Sequence, residues 1–276
     1  MKIVFSLFLR YAKFRYTLYR IFLRLKYGKQ KRNKYFKEKR IVIPDFLPER
    51  PYSINGFKAI LRKGSNDFQM FCLPREEEIA DYLKINDYET FVDVGANVGA
   101  YCLKIATEYK NKSVKIIAIE AHPENYKALC KNIEINKFLN IHPIHKAVSD
   151  KKGFVTMYER KADSRIQSEW YTIHNTINGN QLDRRYSLQI ESDTLDAILD
   201  EYKVDFVKID IEGAEIEALK GATNTLKQLR KIIIEIHENN FDKVKDILRY
   251  HGFKIETITN KIVKSEGFVI GTKNLH

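Results

Sequence analysis

The sequence predicts an α/β fold: an open, doubly wound, mostly parallel sheet preceded by a basic helical arm. Three observations predict it. From residue 90 onward, short apolar runs rich in β-branched residues alternate with segments of helical period, which implies right-handed crossovers and a parallel sheet. The run Thr90-Phe91-Val92-Asp93-Val94 passes through Gly95-Ala96-Asn97-Val98-Gly99 directly into a helical pattern, as a buried strand entering a tight turn does. Charge is also divided. Residues 1–40 hold 14 Lys and Arg against Glu38 alone, whereas the other 236 residues hold 34 basic and 35 acidic side chains.

The 276 residues, 44% hydrophobic and 30% charged, suit one large domain with an extension. The net charge of +12 belongs to the arm, so the neutral body gives no argument for a polyanionic substrate. Cys72, Cys102 and Cys130 form no C-x-x-C pair and read as reduced structural thiols, which places the chain in a reducing, cytoplasmic compartment.

Taken in order, residues 1–40 form a basic amphipathic arm. Lys2, Arg10, Lys13, Arg20 and Arg24 fall on one side of a helix, with Ile3, Leu7, Phe14, Leu18, Ile21 and Leu25 over the remainder. Its apolar runs are too short to span a bilayer, so the expected partner is an anionic membrane surface, with the protein peripheral on the inner membrane face. Residues 41–89 read as linker and lead-in. Pro44, Pro48 and Pro51 interrupt it, Phe57–Arg62 and Gln69–Leu73 read as strands, and a helix starts at Pro74.

The main domain is expected over 90–276. It runs strand 90–96, helix 98–109, strand 114–120, helix 123–136 and strand 141–148; then a hairpin of Phe154–Tyr158 and Leu188–Glu191 enclosing a polar stretch, 160–186, expected to be a substrate flap. Helix 194–202, strand 205–211, helix 214–226, strand 231–236 and helix 241–251 resume the alternation. Strands 253–259 and 267–273 close it as an antiparallel pair.

Ligands of such sheets sit beyond the carboxyl ends of the strands, so polar residues there carry the chemistry. The loop Asp93, Gly95, Ala96, Asn97, Gly99 lacks the middle glycine of a dinucleotide fingerprint. Its backbone N–H groups are expected to face a ligand at the helix N-terminus. A smaller ligand bearing a carboxylate and an ammonium group suits it, as the amino-acid end of S-adenosylmethionine does. Glu120, at the end of the second strand and 21 residues past Gly99, suits ribose hydroxyls, and Ser149-Asp150 the adenine. Asp210 is hard to bury without a partner, Glu212 shares its side of the strand, and Glu215 reads as a helix-start acid. His237, beyond the next strand, has an ordinary pKa suited to a base. Asp210, Glu212 and Glu235 could hold a metal, but adjacent strand-end acids arise without one and none is assigned.

The set Val92–Gly99, Ile119-Glu120-Ala121-His122-Pro123, Asp193-Thr194-Leu195-Asp196, Lys208–Glu215, Lys220-Gly221-Ala222 and Glu235-Ile236-His237 resembles the FkbM family of S-adenosylmethionine-dependent methyltransferases. The resemblance implies a Rossmann-like class I methyltransferase fold with a seven-stranded sheet and an antiparallel final strand. It also implies S-adenosyl-L-methionine as cofactor and methyl transfer, usually to oxygen, on sugars and secondary metabolites. By that match Asp93, Gly95 and Asn97 hold the methionine end and Glu120 the ribose, although the family often has another residue where Ala121-His122 stands; Ala96, Gly99, Ala121, Ser149, Asp150 and Asp210 are also expected at the cofactor. The acceptor is then a small molecule or glycan, with His237 or Asp210 as base and Glu212 orienting the hydroxyl. The alternative is an RNA methyltransferase or binding protein using the arm, whose Phe14, Tyr16 and Tyr19 interleave with cations. The neutral body and the lack of an Asn/Asp-Pro-Pro-Tyr/Phe motif stand against it.

Overall fold

The computed structural model describes residues 48–73, 77–159, 187–237, 240–259 and 266–273, together with positions 7, 10, 171, 172, 176, 177, 180 and 181. The rest of the arm and of the 160–186 flap, Pro74-Arg75-Glu76 and Glu238 lie outside the described residues. No helix among the described residues is long and apolar enough to cross a membrane.

Seven strands form the main sheet. In chain order they are β3 (Thr90–Val94), β4 (Lys115–Glu120), β5 (Ile141–His145), β12 (Phe206–Ile209), β13 (Lys231–Ile236), β14 (Lys254–Thr259) and β15 (Gly267–Thr272). Their spatial order is β14-β15-β13-β12-β3-β4-β5, and β15 runs antiparallel to both its neighbours while the remaining pairs are parallel. This is the expected sheet, including its antiparallel last strand. The central strands are near-continuous apolar runs, broken by Asp93 and Lys208, because both faces are covered. Phe91 and Phe206 pack ring to ring at 4.9 Å on one face, while Val92, Val94, Val207 and Ile209 are buried in the other.

The chain steps outward from β3 to β4 and β5, then crosses back to lay β12 on the other side of β3. That reversal opens the ligand crevice at the carboxyl ends of β3 and β12. Between β5 and β12 lies a separate sheet: β6 (Ala147–Val148), β7 (Gly153–Glu159), β8 (Tyr171–Thr172) and β11 (Ser187–Asp193), ordered β6-β11-β7-β8. The expected hairpin is there as β7 against β11. In the flap, Thr176–Ile177 (β9) pairs with Asn180–Gln181 (β10).

Four local readings change. Residues 141–148 are two strands in two sheets, since β6 pairs with β11 rather than β4. Helix 194–202 shortens to Leu195–Ile198. Helix 214–226 divides into Glu215–Lys220 and Thr223–Gln228. A Cβ on Gly221 would lie 2.3 Å from the Ser149 carbonyl oxygen, so the chain passes too close to the neighbouring loop there for a side chain. Gln69–Leu73 is not a strand: Asp67–Cys72 is a helix, with the Asn66 carbonyl accepting from Gln69 and Met70 N–H at 2.7 and 3.1 Å. Arg62 clamps Asp67 through Nε and a terminal nitrogen, both at 2.8 Å.

The lead-in is integral to the fold. Strands β1 (Pro51–Ile54) and β2 (Phe57–Ile60) form a hairpin across Asn55-Gly56, whose φ values of 48° and 94° suit a two-residue turn matching the strand twist. The edge of β2 is paired by side chains of the helix Pro123–Asn136. Lys58 N–H donates to Asn136 Oδ1 at 2.7 Å and Ile60 N–H to Asn132 Oδ1 at 2.9 Å. The helix stops at Leu73, whose backbone is extended as the residue before a proline favours, and Glu77–Leu83 is a 3-10 turn rather than a full α-helix.

Candidate active site

The loop after β3 is folded inward. Gly95 and Ala96 N–H both donate to the Ile119 carbonyl, at 2.9 and 3.0 Å, Gly99 N–H donates to Ala96 O, and Asn97 N–H donates to Glu120 Oε2 at 2.8 Å. These backbone donors are therefore spent on β4 and on the loop itself rather than on a ligand, contrary to the sequence expectation. Gly95 is required for a related reason: at φ +83°, an added Cβ would lie 1.9 Å from the Asp210 carbonyl oxygen. Asp210 N–H in turn donates to Val94 O, so the loop and the end of β12 are locked together.

What the loop offers is side chains. Glu120 is buried at the end of β4, and its two oxygens accept from Asn97 N–H and from His122 N–H, the latter at 2.7 Å. Burial pushes its carboxyl up to about 7 against the pull of those donors. A carboxylate has about four acceptor positions, so two remain for hydroxyl donors. Asn97, at φ 51°, has a buried Oδ1 without a hydrogen-bond partner. Asp93 is 1% exposed and accepts the Cys102 thiol at 3.3 Å; burial pushes that thiol well up, so it stays a donor. Ala121 lies at the end of β4 with its carbonyl on His145 Nε2 at 3.0 Å.

Farther along, Ser149 N–H donates to Asp193 O at 3.0 Å and its hydroxyl to Asp150 at 3.3 Å, at the root of the second sheet. The motif segment Asp193-Thr194-Leu195-Asp196 proves structural. Thr194 Oγ1 accepts from Ala197 N–H at 3.1 Å, and Asp196 accepts from Asn224 and Thr225 N–H at 2.8 and 2.7 Å, capping the helix Thr223–Gln228.

On the other side of the crevice, the turn after β12 gathers charge. Asp210, Glu212 and His237 each place one ligating atom within 4.8 Å of the others. Glu212 sits at φ 52°, and its Oε2 is 3.6 Å from His237 Nε2. Glu215 is fully buried, and its Oε1 takes Gly213 N–H at 2.8 Å and faces His237 Nδ1 at 3.0 Å. Burial opposes a charged imidazole, yet the Glu215 hydrogen bond and the charges of Glu212, Glu215 and Glu235 outweigh it and carry His237 to about 10. His237 thus holds its proton at neutrality, where the sequence suggested a group titrating there.

Two residues escaped the sequence reading. Glu215 does start the helix Glu215–Lys220, as read, but it is also the buried partner of His237. Lys208, 1% exposed within β12, lies 3.3 Å from Asp210 and 4.6 Å from the centre of the Tyr101 ring, in register with Asp93 on β3. Its signal was a cation inside an apolar central strand, two residues before an Asp, where it can be buried only with a counter-charge.

Residues 93–255, more than half the chain, match the Methyltransferase FkbM domain. The hexuronic acid methyltransferase AglP of Haloferax volcanii is 27% identical over 186 residues, which cover 66% of this chain and 69% of that protein. Methyltransferase sdnD of Sordaria araneosa is 26% identical over 191 residues, covering 59% and 73%. The crystal structure of an FkbM methyltransferase from Methylobacillus flagellatus shares the fold, with a TM-score of 0.50 at 20% identity over 70% of this chain; the present chain covers 45% of that one.

Proposed function

The chain belongs to the FkbM family of methyltransferases, whose methyl donor is S-adenosylmethionine, and on that premise we propose that it methylates a hydroxyl oxygen of a saccharide or glycan. The observation that carries the reading is the Asp210–Glu212–His237 cluster at the ends of β12 and β13, across the sheet's switch point from Glu120 and Asn97. A relative named for hexuronic acid methylation supports the saccharide class.

The buried carboxylate of Glu120 suits ribose hydroxyls, and Asp93 with the Asn97 amide oxygen suits an ammonium group, so the residues present fit the donor. When bound it supplies an electrophilic methyl group on a positively charged sulfur. The protein's task is to bring an acceptor oxygen in line with that methyl and to take its proton. Because His237 already carries a proton, the base is Asp210. Its carboxylate faces the Lys208 ammonium 3.3 Å away, while Glu212 orients the acceptor. The acceptor O–H bond breaks with its proton going to Asp210. With the donor held by Glu120, Asp93 and Asn97, the acceptor oxygen would take the methyl group as the C–S bond breaks, giving a methyl ether and S-adenosylhomocysteine.

The test is incubation with methyl-labelled S-adenosylmethionine and an acceptor panel of hexuronic acid glycosides, neutral sugars and RNA. Label in an ether of the sugars supports the reading; label confined to RNA overturns it. The basic arm, of which all but positions 7 and 10 lie outside the described residues, is proposed to bring the enzyme to an anionic membrane. Removing residues 1–40 should abolish sedimentation with anionic vesicles while leaving S-adenosylhomocysteine binding intact.

A further inference from the structure

We propose that Asp210, Glu212 and His237 bind a divalent metal cation that also takes an oxygen of the acceptor. The inference rests on the methyl-transfer reading above and changes one role in it: the ion, rather than Asp210 alone, offsets the charge that develops on the acceptor oxygen.

Geometry is the first support. The three ligating atoms lie within 4.8 Å of one another, and His237 Nε2 stands 3.6 Å from Glu212 Oε2. Around an octahedral ion with bonds of about 2.1 Å, neighbouring ligands are about 3 Å apart and opposite ones about 4 Å. Small side-chain rotations therefore close the set. They also leave about three positions for water and acceptor oxygens.

The second support comes from outside the three residues. Glu215 holds His237 by Nδ1 at 3.0 Å, which turns Nε2 toward Glu212. Imidazoles that ligate metals are oriented by a carboxylate in this way, through the ring nitrogen that does not ligate. Glu215 is itself fully buried, and its Oε2 has no hydrogen-bond partner. A buried carboxylate oxygen left without a donor is costly unless positive charge lies nearby. Asp210, Glu212, Glu215 and Glu235 together bring four carboxylates to this turn, and Lys208 meets Asp210 from within the sheet. A divalent ion corrects the balance.

Two carboxylates and an imidazole, with positions left for water, accept Mn2+, and Mg2+ is the weaker-bound ion in the same cage. Vicinal hydroxyls or a hydroxyl beside a carboxylate would chelate such an ion through two oxygens, which matches a sugar acid.

The experiment is titration of chelator-stripped full-length protein with Mn2+, following free Mn2+ by electron paramagnetic resonance, while calorimetry measures S-adenosylhomocysteine binding to the same preparation. One Mn2+ per chain is expected, displaced by excess Mg2+, and at least tenfold weaker in both Glu212→Gln and His237→Gln. Glu212 is partly exposed, so its variant should fold even if loss of the Glu215 partner unfolds the other, and cofactor binding reports folding in each. Absence of saturable Mn2+ binding, or equal binding in Glu212→Gln, overturns the metal site while cofactor binding leaves the methyltransferase reading standing. Failure of S-adenosylhomocysteine to bind would instead fall on that reading.

Discussion

The two sides of the crevice solve opposite problems. At the ends of β3 and β4 every element is closed on itself: loop N–H groups go to Ile119 and Glu120, and one buried carboxylate is left half-protonated near neutrality. At the ends of β12 and β13 charge is accumulated, with four carboxylates around one imidazolium and one buried ammonium. The first arrangement is a rigid receptor whose shape is set before the ligand arrives. The second is an electrostatic site, suited to stabilising charge that appears only during reaction.

The two sides meet at Gly95, so the largest effect should come from breaking that contact. Gly95→Ala forces a Cβ to within 1.9 Å of Asp210 O in a backbone conformation that alanine resists. A loss of about 3 kcal/mol or more in thermal or urea unfolding is expected, along with loss of S-adenosylhomocysteine binding. Near-normal stability would mean that the two sides are not locked. Asp210→Asn should separate them by function instead. Turnover is expected to fall about 100-fold or more, well beyond any loss of cofactor affinity by calorimetry. Parallel losses would make Asp210 part of the receptor.

Legibility in the sequence follows the same division. The strand Thr90–Val94 and its loop were readable because burial on both faces demands an apolar run and the close approach to Asp210 demands glycine. The run Gln69-Met70-Phe71-Cys72-Leu73 was not readable, since four apolar residues in a row fit either a strand or a helix. A contact from five residues upstream, Arg62 on Asp67, belongs to the helix. Asp210 and His237 stood out as polar residues at strand ends. Glu215 did not: its role depends on His237, 22 residues away just past the end of β13, and nothing local separates a buried acceptor from an exposed helix-start acid. The direction of the loop N–H groups was misread for a like reason, because their acceptor, Ile119 O, lies on the neighbouring strand.

The receptor side also extends into the lead-in. Asn132, 1% exposed, accepts from Ile60 N–H at 2.9 Å and donates to Val98 O at 3.0 Å, tying β2 to the glycine loop. Asn132→Ala strands both backbone groups and should cost about 2–3 kcal/mol, read as a lower melting temperature. S-adenosylhomocysteine affinity should fall with it, whereas relative activity across acceptors should not change. A shift in acceptor preference would place the lead-in on the electrostatic side.

The smallest expected effect is a pH dependence that distinguishes the two sides by sign. Glu120 titrates at about 7 in the folded protein against an ordinary 4.5. Because its folded pKa is raised, the stability it contributes is fully present below 4.5 and is lost as pH rises through 7. Ribose hydroxyls reverse the preference, since they donate to the ionised carboxylate and so favour release of the proton on binding. Cofactor affinity should therefore increase by up to about tenfold between pH 6 and 8 while the stability of the unliganded protein declines over the same interval. Glu120→Gln, which keeps the shape but cannot ionise, should bind more weakly and lose both slopes. Calorimetry and thermal unfolding across that range measure the two together. If affinity instead fell with rising pH, the carboxyl would be binding as an acid, and the receptor would be reading an acceptor on the cofactor rather than its hydroxyl donors.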